Sequence, residues 1–80
     1  MEISKQNYQK LIKEYESKVL LMGIVIEKNS KAIRDLKKRN LETEVYDYET
    51  RFYREDRKIA EAKRQCYIQF IVDLKTLDYV

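Results

Sequence analysis

The residue types that usually carry chemistry are sparse in this 80-residue chain. It contains no histidine. That removes the commonest general base, the commonest zinc ligand and any Ser/His or Cys/His nucleophile pair. Cys66 is the one cysteine, so the chain can form neither an internal disulfide nor a thiolate metal cluster. Gly23 is the one glycine, and alone it cannot build a phosphate-cradling loop. Acidic pairs occur at Glu14/Glu16, Asp47/Glu49 and Glu55/Asp56. They lie among lysines and arginines, where a solvated helix face is the ordinary use. A catalytic carboxylate pair would also need a pocket, which two helices do not make. The expectation is a non-enzymatic chain with no metal, no cofactor and no small-molecule substrate.

What remains is chemistry of recognition, and it concentrates in the second half. If Val45, Tyr48, Phe52, Ile59 and Cys66 form a core face, then at 100° per residue Tyr46, Tyr53, Arg57, Ala60 and Arg64 fall opposite, with Tyr67 near the edge of that stripe. Tyrosine and arginine are enriched at interaction hot spots. Tyr46, Tyr53, Arg57, Arg64 and Tyr67 are therefore the expected partner-binding residues, on a face turned away from the core. Solvated side chains or a homodimer surface are the plainer readings of the same stripe. Cys66, in line with Ile59 and Ala62, reads as a small buried hydrophobe.

These residues need helices to position them. Proline is absent, which disfavours a fold with many tight turns. Charged residues make up 39% and hydrophobic ones 44%, too apolar for charge-driven disorder and well suited to amphipathic helices. Tyr8, Ile12, Tyr15, Val19, Met22, Ile26, Ile33 and Leu36 follow a 4-3 spacing interrupted only by Asn29. A second series runs through Leu41, Val45, Tyr48, Phe52, Ile59, Ala62 and Cys66, broken once by Glu55. It then slips by one residue to Phe70, Leu74 and Leu77.

The charge signature of one helix ending and another starting lies near residue 40. Lys37, Lys38 and Arg39 suit a helix C-terminus, and Asn40 reads as an N-cap followed by Glu42 and Glu44. The predicted fold is all-α, a single helical domain over residues 1–80: an antiparallel, coiled-coil-like hairpin turning near residue 40. Folding about residues 40 and 41 sets Arg34 opposite Asp47, Lys37 opposite Glu44 and Glu27 opposite Arg54. It sets Leu36 against Val45, Ile33 against Tyr48 and Met22 against Ile59. Residues 19–26 and 66–74 are apolar nearly all round and ask for more burial than one neighbour gives. Two hairpins packed as a dimeric helix bundle would supply it. Short strands are the alternative for both runs, being rich in β-branched residues.

Charge weighs against nucleic acid as the first reading. The net is only +3. Residues 31–39 carry five cations and one anion, and the hairpin sets them beside residues 40–50, with four anions and no cation. Arg51, Arg54, Arg57 and Arg64 remain an alternative phosphate-contacting set, with Tyr46 and Tyr53 as stacking platforms. The longest apolar run, residues 19–26, is eight residues, against about 20 for a membrane span. Met1-Glu2-Ile3-Ser4-Lys5 has no secretory pattern, and a lone thiol suits a reducing compartment. The expectation is a cytoplasmic interaction module with a larger protein partner: an adaptor, regulator or stoichiometric inhibitor of the kind accessory genes and phages encode. A small nucleic-acid binder and a structural self-associating coiled coil are the alternatives.

Overall fold

In the computed structural model, which describes residues 5–76, two helices account for nearly all of the described residues. They are α1 (Lys5–Lys37) and α2 (Thr43–Thr76). They pack side by side into a hairpin measuring 60 × 15 × 13 Å. Neither stretch is stable as a helix from local propensity alone, so the seam between them must hold both. The runs 19–26 and 66–74 are helical throughout, and the strand alternative is overturned.

The α1 seam follows the 4-3 spacing of the sequence. Tyr8, Ile12, Asn29 and Leu36 are buried, and Tyr15, Val19, Met22, Ile26 and Ile33 are half-buried. Asn29, the interruption in the apolar series, sits inside the seam at 7% exposure. Its side-chain amide donates to the Val25 carbonyl at 3.0 Å and to the Asp56 carboxylate at 2.9 Å. One position on, Arg57 donates to the Ser30 hydroxyl at 3.5 Å.

These contacts correct the expected register. Folding about residues 40 and 41 puts Phe52 opposite Asn29, but the residue found there is Asp56, one helical turn further along α2. At the open end the offset is smaller: Tyr15 packs against Phe70, centroids 4.4 Å apart, one turn beyond the expected position 66, and edge-on against Tyr67 at 5.8 Å, one residue beyond it. The expected cross-hairpin ion pairs give way to pairs along single helices. Arg34 pairs with Glu27 at 3.1 Å, and Arg54 approaches Asp47 at 3.9 Å.

The turn also departs from the sequence reading. The last turn of α1 tightens, with Arg39 N–H bonding the Leu36 carbonyl. Asn40 then adopts φ 53°, the left-handed region that ends helices. Asn40 thus closes α1 instead of capping α2, correcting the N-cap expectation. The first bond of α2 runs from Tyr46 N–H to the Glu42 carbonyl at 2.8 Å, which makes Glu42 the entry residue. Glu44 follows in the first turn, and Arg34 and Lys37 occupy the last turn of α1. Both placements complement the helix ends.

Asn29→Ala is expected to lower the unfolding free energy by about 1.5 kcal/mol, because it takes a donor from a half-buried carboxylate. A double-mutant cycle with Asp56→Ala should show coupling of about 0.5 kcal/mol or more. Additive losses in urea melts would mean that this contact does not set the register.

Candidate interaction surfaces

Helix α2 carries two heptad-spaced stripes, and the one that meets α1 is not the one chosen by apolarity. Positions 46, 50, 53, 57, 60, 64, 67, 71 and 74 form the seam. Thr50, Ala60 and Leu74 are buried there, Tyr46, Tyr53, Arg57, Tyr67 and Ile71 are half-buried, and Arg64 is exposed. Val45, Tyr48, Phe52, Ile59, Ala62 and Cys66, the expected core face, are all exposed, with Phe52 at 71%. The two faces of α2 are exchanged relative to the sequence expectation, and Cys66 is an exposed free thiol instead of a core residue.

The physical reason lies in the slip after Cys66. A helix without a bulge keeps one phase, so only one of two offset stripes can face its neighbour throughout. The C-terminal half of α2 sets that phase. Leu74 packs with Tyr8 and Ile12, flanked by Leu11 and Ile71, in the main apolar cluster. Carried back along the helix, the same phase brings Ala60 and Thr50 into the seam, where small side chains let the backbones approach. It also brings in Tyr53 and Arg57, which can lay their stems along a seam and keep their polar ends at its edge.

The five expected partner-binding residues therefore divide. Tyr46 lines a hollow at the turn with Lys37, Asn40, Leu41 and Thr43. Tyr53 shares the seam face, its ring edge-on to Phe52 at 6.2 Å. Arg57 reaches across to Ser30 and lies 3.8 Å from Glu61. Tyr67 packs on Tyr15, with the Lys18 ammonium 4.7 Å from the Tyr15 ring centre and 5.7 Å from that of Tyr67. Arg64 is the one of the five that is openly exposed. Of the four arginines in the alternative phosphate-contacting set, Arg51, Arg54 and Arg57 each stand within 4 Å of a carboxylate on their own helix.

A different recess is the more apolar one. Between the two helices, towards the open end of the hairpin, Val19, Leu20, Ile68, Ile71 and Val72 line a trough of about 480 Å³, with Glu16 and Lys75 at its rim. Leu20 is 71% exposed and Val72 is 47% exposed. Gly23 continues the α1 stripe that carries Glu16 and Leu20, and a Cβ added there would meet no atom within 4 Å. Sequence reasoning marked both apolar runs as under-buried. It missed the trough because the expected register set residues 19–26 against charged positions of α2.

Among the described residues, no group of three or more Cys, Asp or Glu side chains is placed to hold a metal ion. Among the described residues, no helix is long and apolar enough to cross a membrane. The chain matches no protein-family model, no curated protein sequence and no solved structure.

Under conditions where the chain is monomeric, Tyr53→Ala combined with Arg57→Ala should cost about 2 kcal/mol of stability through lost seam packing. Tyr48→Ala combined with Ile59→Ser should change it by under about 0.5 kcal/mol each. Thermal melts followed by circular dichroism give both values. A hairpin that tolerates the first pair and melts early with the second would reverse the face assignment.

Proposed function

We propose that the chain is a non-enzymatic protein–protein interaction module, an adaptor or regulator, that seats an apolar helical segment of a larger protein in the trough beside Leu20 and Val72. The observation that carries this reading is an apolar channel left open between two helices: Val19, Leu20, Ile68, Ile71 and Val72. Two antiparallel ridges with an apolar floor match the helix-in-groove mode, in which an amphipathic helix lays its apolar face into a hydrophobic channel.

Two further features favour a helical occupant. Gly23 costs a helix interior about 1 kcal/mol relative to alanine, and the hairpin has space for a Cβ there. A backbone approaching along the Glu16–Leu20–Gly23 stripe gives that glycine a use. The rim holds one acid and one base, so apolar fit outweighs net charge in selecting the partner. Phosphate binding by the arginines is less favoured, since three of the four already face carboxylates. The single, exposed Cys66 suits a reducing compartment such as the cytoplasm.

The test compares affinity capture from the native host with wild-type chain, with Leu20→Asp/Val72→Asp, and with Lys31→Ala as a control. A protein held by wild type and by the control, and lost with the trough variant, is the expected result. Identical captures from all three would sink the reading. Gly23→Ala adds a split readout: the chain itself should gain about 0.5–1 kcal/mol of stability while partner affinity falls. A gain in stability with unchanged affinity removes close helix approach from the proposal.

A further inference from the structure

The outer stripe of α2 has a symmetry that neither the seam nor the trough uses. Val45, Tyr48 and Phe52 precede Glu55, and Ile59, Ala62 and Cys66 follow it. About the midpoint of Glu55 and Asp56, position 52 mirrors 59 and position 45 mirrors 66, while 48 mirrors 63, beside Ala62. Such a stripe is complementary to its own reverse. We propose that this face takes a second copy of the chain, with the two α2 helices antiparallel across a two-fold axis near Glu55. The dimer is then layered α1–α2–α2–α1.

The side chains fit this pairing by size. The two-fold sets Phe52 against Ile59 of the second copy and Val45 against Cys66, and it brings the Tyr48 ring to Lys63 with the small Ala62 one residue away. All of these residues are exposed in the single hairpin. A two-fold contact requires this reciprocity, since each residue meets the other member of its pair twice.

The charges fit as well. Glu49 mirrors Ala62 and Lys63 mirrors Tyr48, so Glu49 and Lys63 of the second copy stand one residue apart along the rim, near enough to meet as opposite charges. Glu55, nearest the axis, is already held by Arg51 at 3.3 Å. Asp56, which the axis would bring towards Glu55 of the second copy, turns its carboxylate to Asn29 of its own chain at 2.9 Å. Away from the axis, a parallel pairing would set Glu49 level with Glu49 and Lys63 level with Lys63, like charge against like.

Surface area points the same way. A globular monomer of this 9.8 kDa mass exposes about 5,200 Å² by the usual scaling. This chain exposes 6764 Å². The excess of roughly 1,600 Å² accommodates the roughly 800 Å² that each partner gives to an interface of ordinary size. The stripe from residue 45 to 66 runs about 32 Å, at the standard rise per residue. This inference is independent of the trough, which lies beyond the paired segment.

Sedimentation equilibrium and cysteine cross-linking test it together. Wild-type chain should sediment at twice its 9.8 kDa mass. Phe52→Glu/Ile59→Glu should raise the dimer dissociation constant by about tenfold or more and keep the helical circular dichroism signal. Should that pair lose its helix, Ala62→Arg changes one small exposed side chain and carries the same expectation. Val45→Cys should cross-link into dimers with a short bismaleimide, joining position 45 of one copy to Cys66 of the other. Wild type should not, because antiparallel copies hold their Cys66 thiols about 32 Å apart. A monomeric wild type, a dimer indifferent to these substitutions, or efficient wild-type Cys66 cross-linking overturns the proposal. Leu20→Asp should leave the mass unchanged, which separates this face from the trough.

Discussion

A straight helix presents one face to a neighbour along its whole length, and this hairpin is governed by which face of α2 that is. The choice rests on the open end, where Leu74 meets Tyr8 and Ile12 and where Tyr67 and Phe70 pack on Tyr15. Those contacts set a phase that α2 cannot leave without a bulge. Everything nearer the turn inherits it. Ala60 and Thr50 become seam residues, Arg57 reaches across to Ser30, and Phe52 and Ile59 turn to solvent. The resulting seam is rich in polar atoms, yet no buried side-chain polar atom among the described residues lacks a hydrogen-bond partner.

Much of this was legible in the sequence. The all-helical hairpin, the turn near residue 40 and the complete α1 seam follow from spacing and from the lack of helix breakers. The α2 face did not follow, for a definable reason. Periodicity records where apolar side chains recur, but it cannot rank two stripes of similar strength. The slip after Cys66 marked the conflict. Weighting the larger number of apolar positions before the slip favoured Val45, Phe52 and Ile59. Packing favoured the denser cluster after it. The signal that could have decided the matter is small-residue spacing: Thr50 and Ala60 lie on the stripe with Tyr53, Arg57 and Tyr67, and small residues allow close helix approach. Register was illegible for a second reason. A turn's midpoint predicts pairing only if the connection is symmetric, and here a tightened last turn and a left-handed Asn40 close α1 while α2 opens at Glu42.

The polar contacts divide by burial. Arg34–Glu27, Arg51–Glu55, Arg54–Asp47 and Arg57–Glu61 are exposed pairs along single helices. Such pairs contribute little each, and none of them ties α1 to α2. Asn29 to Asp56 is different. It crosses the seam, its amide is buried, and sliding α2 by one turn would leave both groups facing apolar side chains. A polar residue inside an apolar heptad series is a known means of fixing register at some cost in stability. The Asn29 that looked like a flaw in the first series is the cross-hairpin bond that selects one alignment.

The same constraint that fixes the seam also explains why so much apolar surface is left over. A two-helix layer has only one internal face per helix, and a helix with two apolar stripes must leave one outside it. For α2 the outside stripe runs over positions 45–66, and for the open end it is the trough of Leu20, Ile68 and Val72. These surfaces do not overlap along the chain. Under the two proposals, an antiparallel dimer through the first leaves the second free on each copy. About the axis near Glu55, the two troughs would stand on the order of 44 Å apart, at the standard rise per residue. A module built that way binds at two ends at once. Its avidity then depends on whether the sites it meets match that spacing.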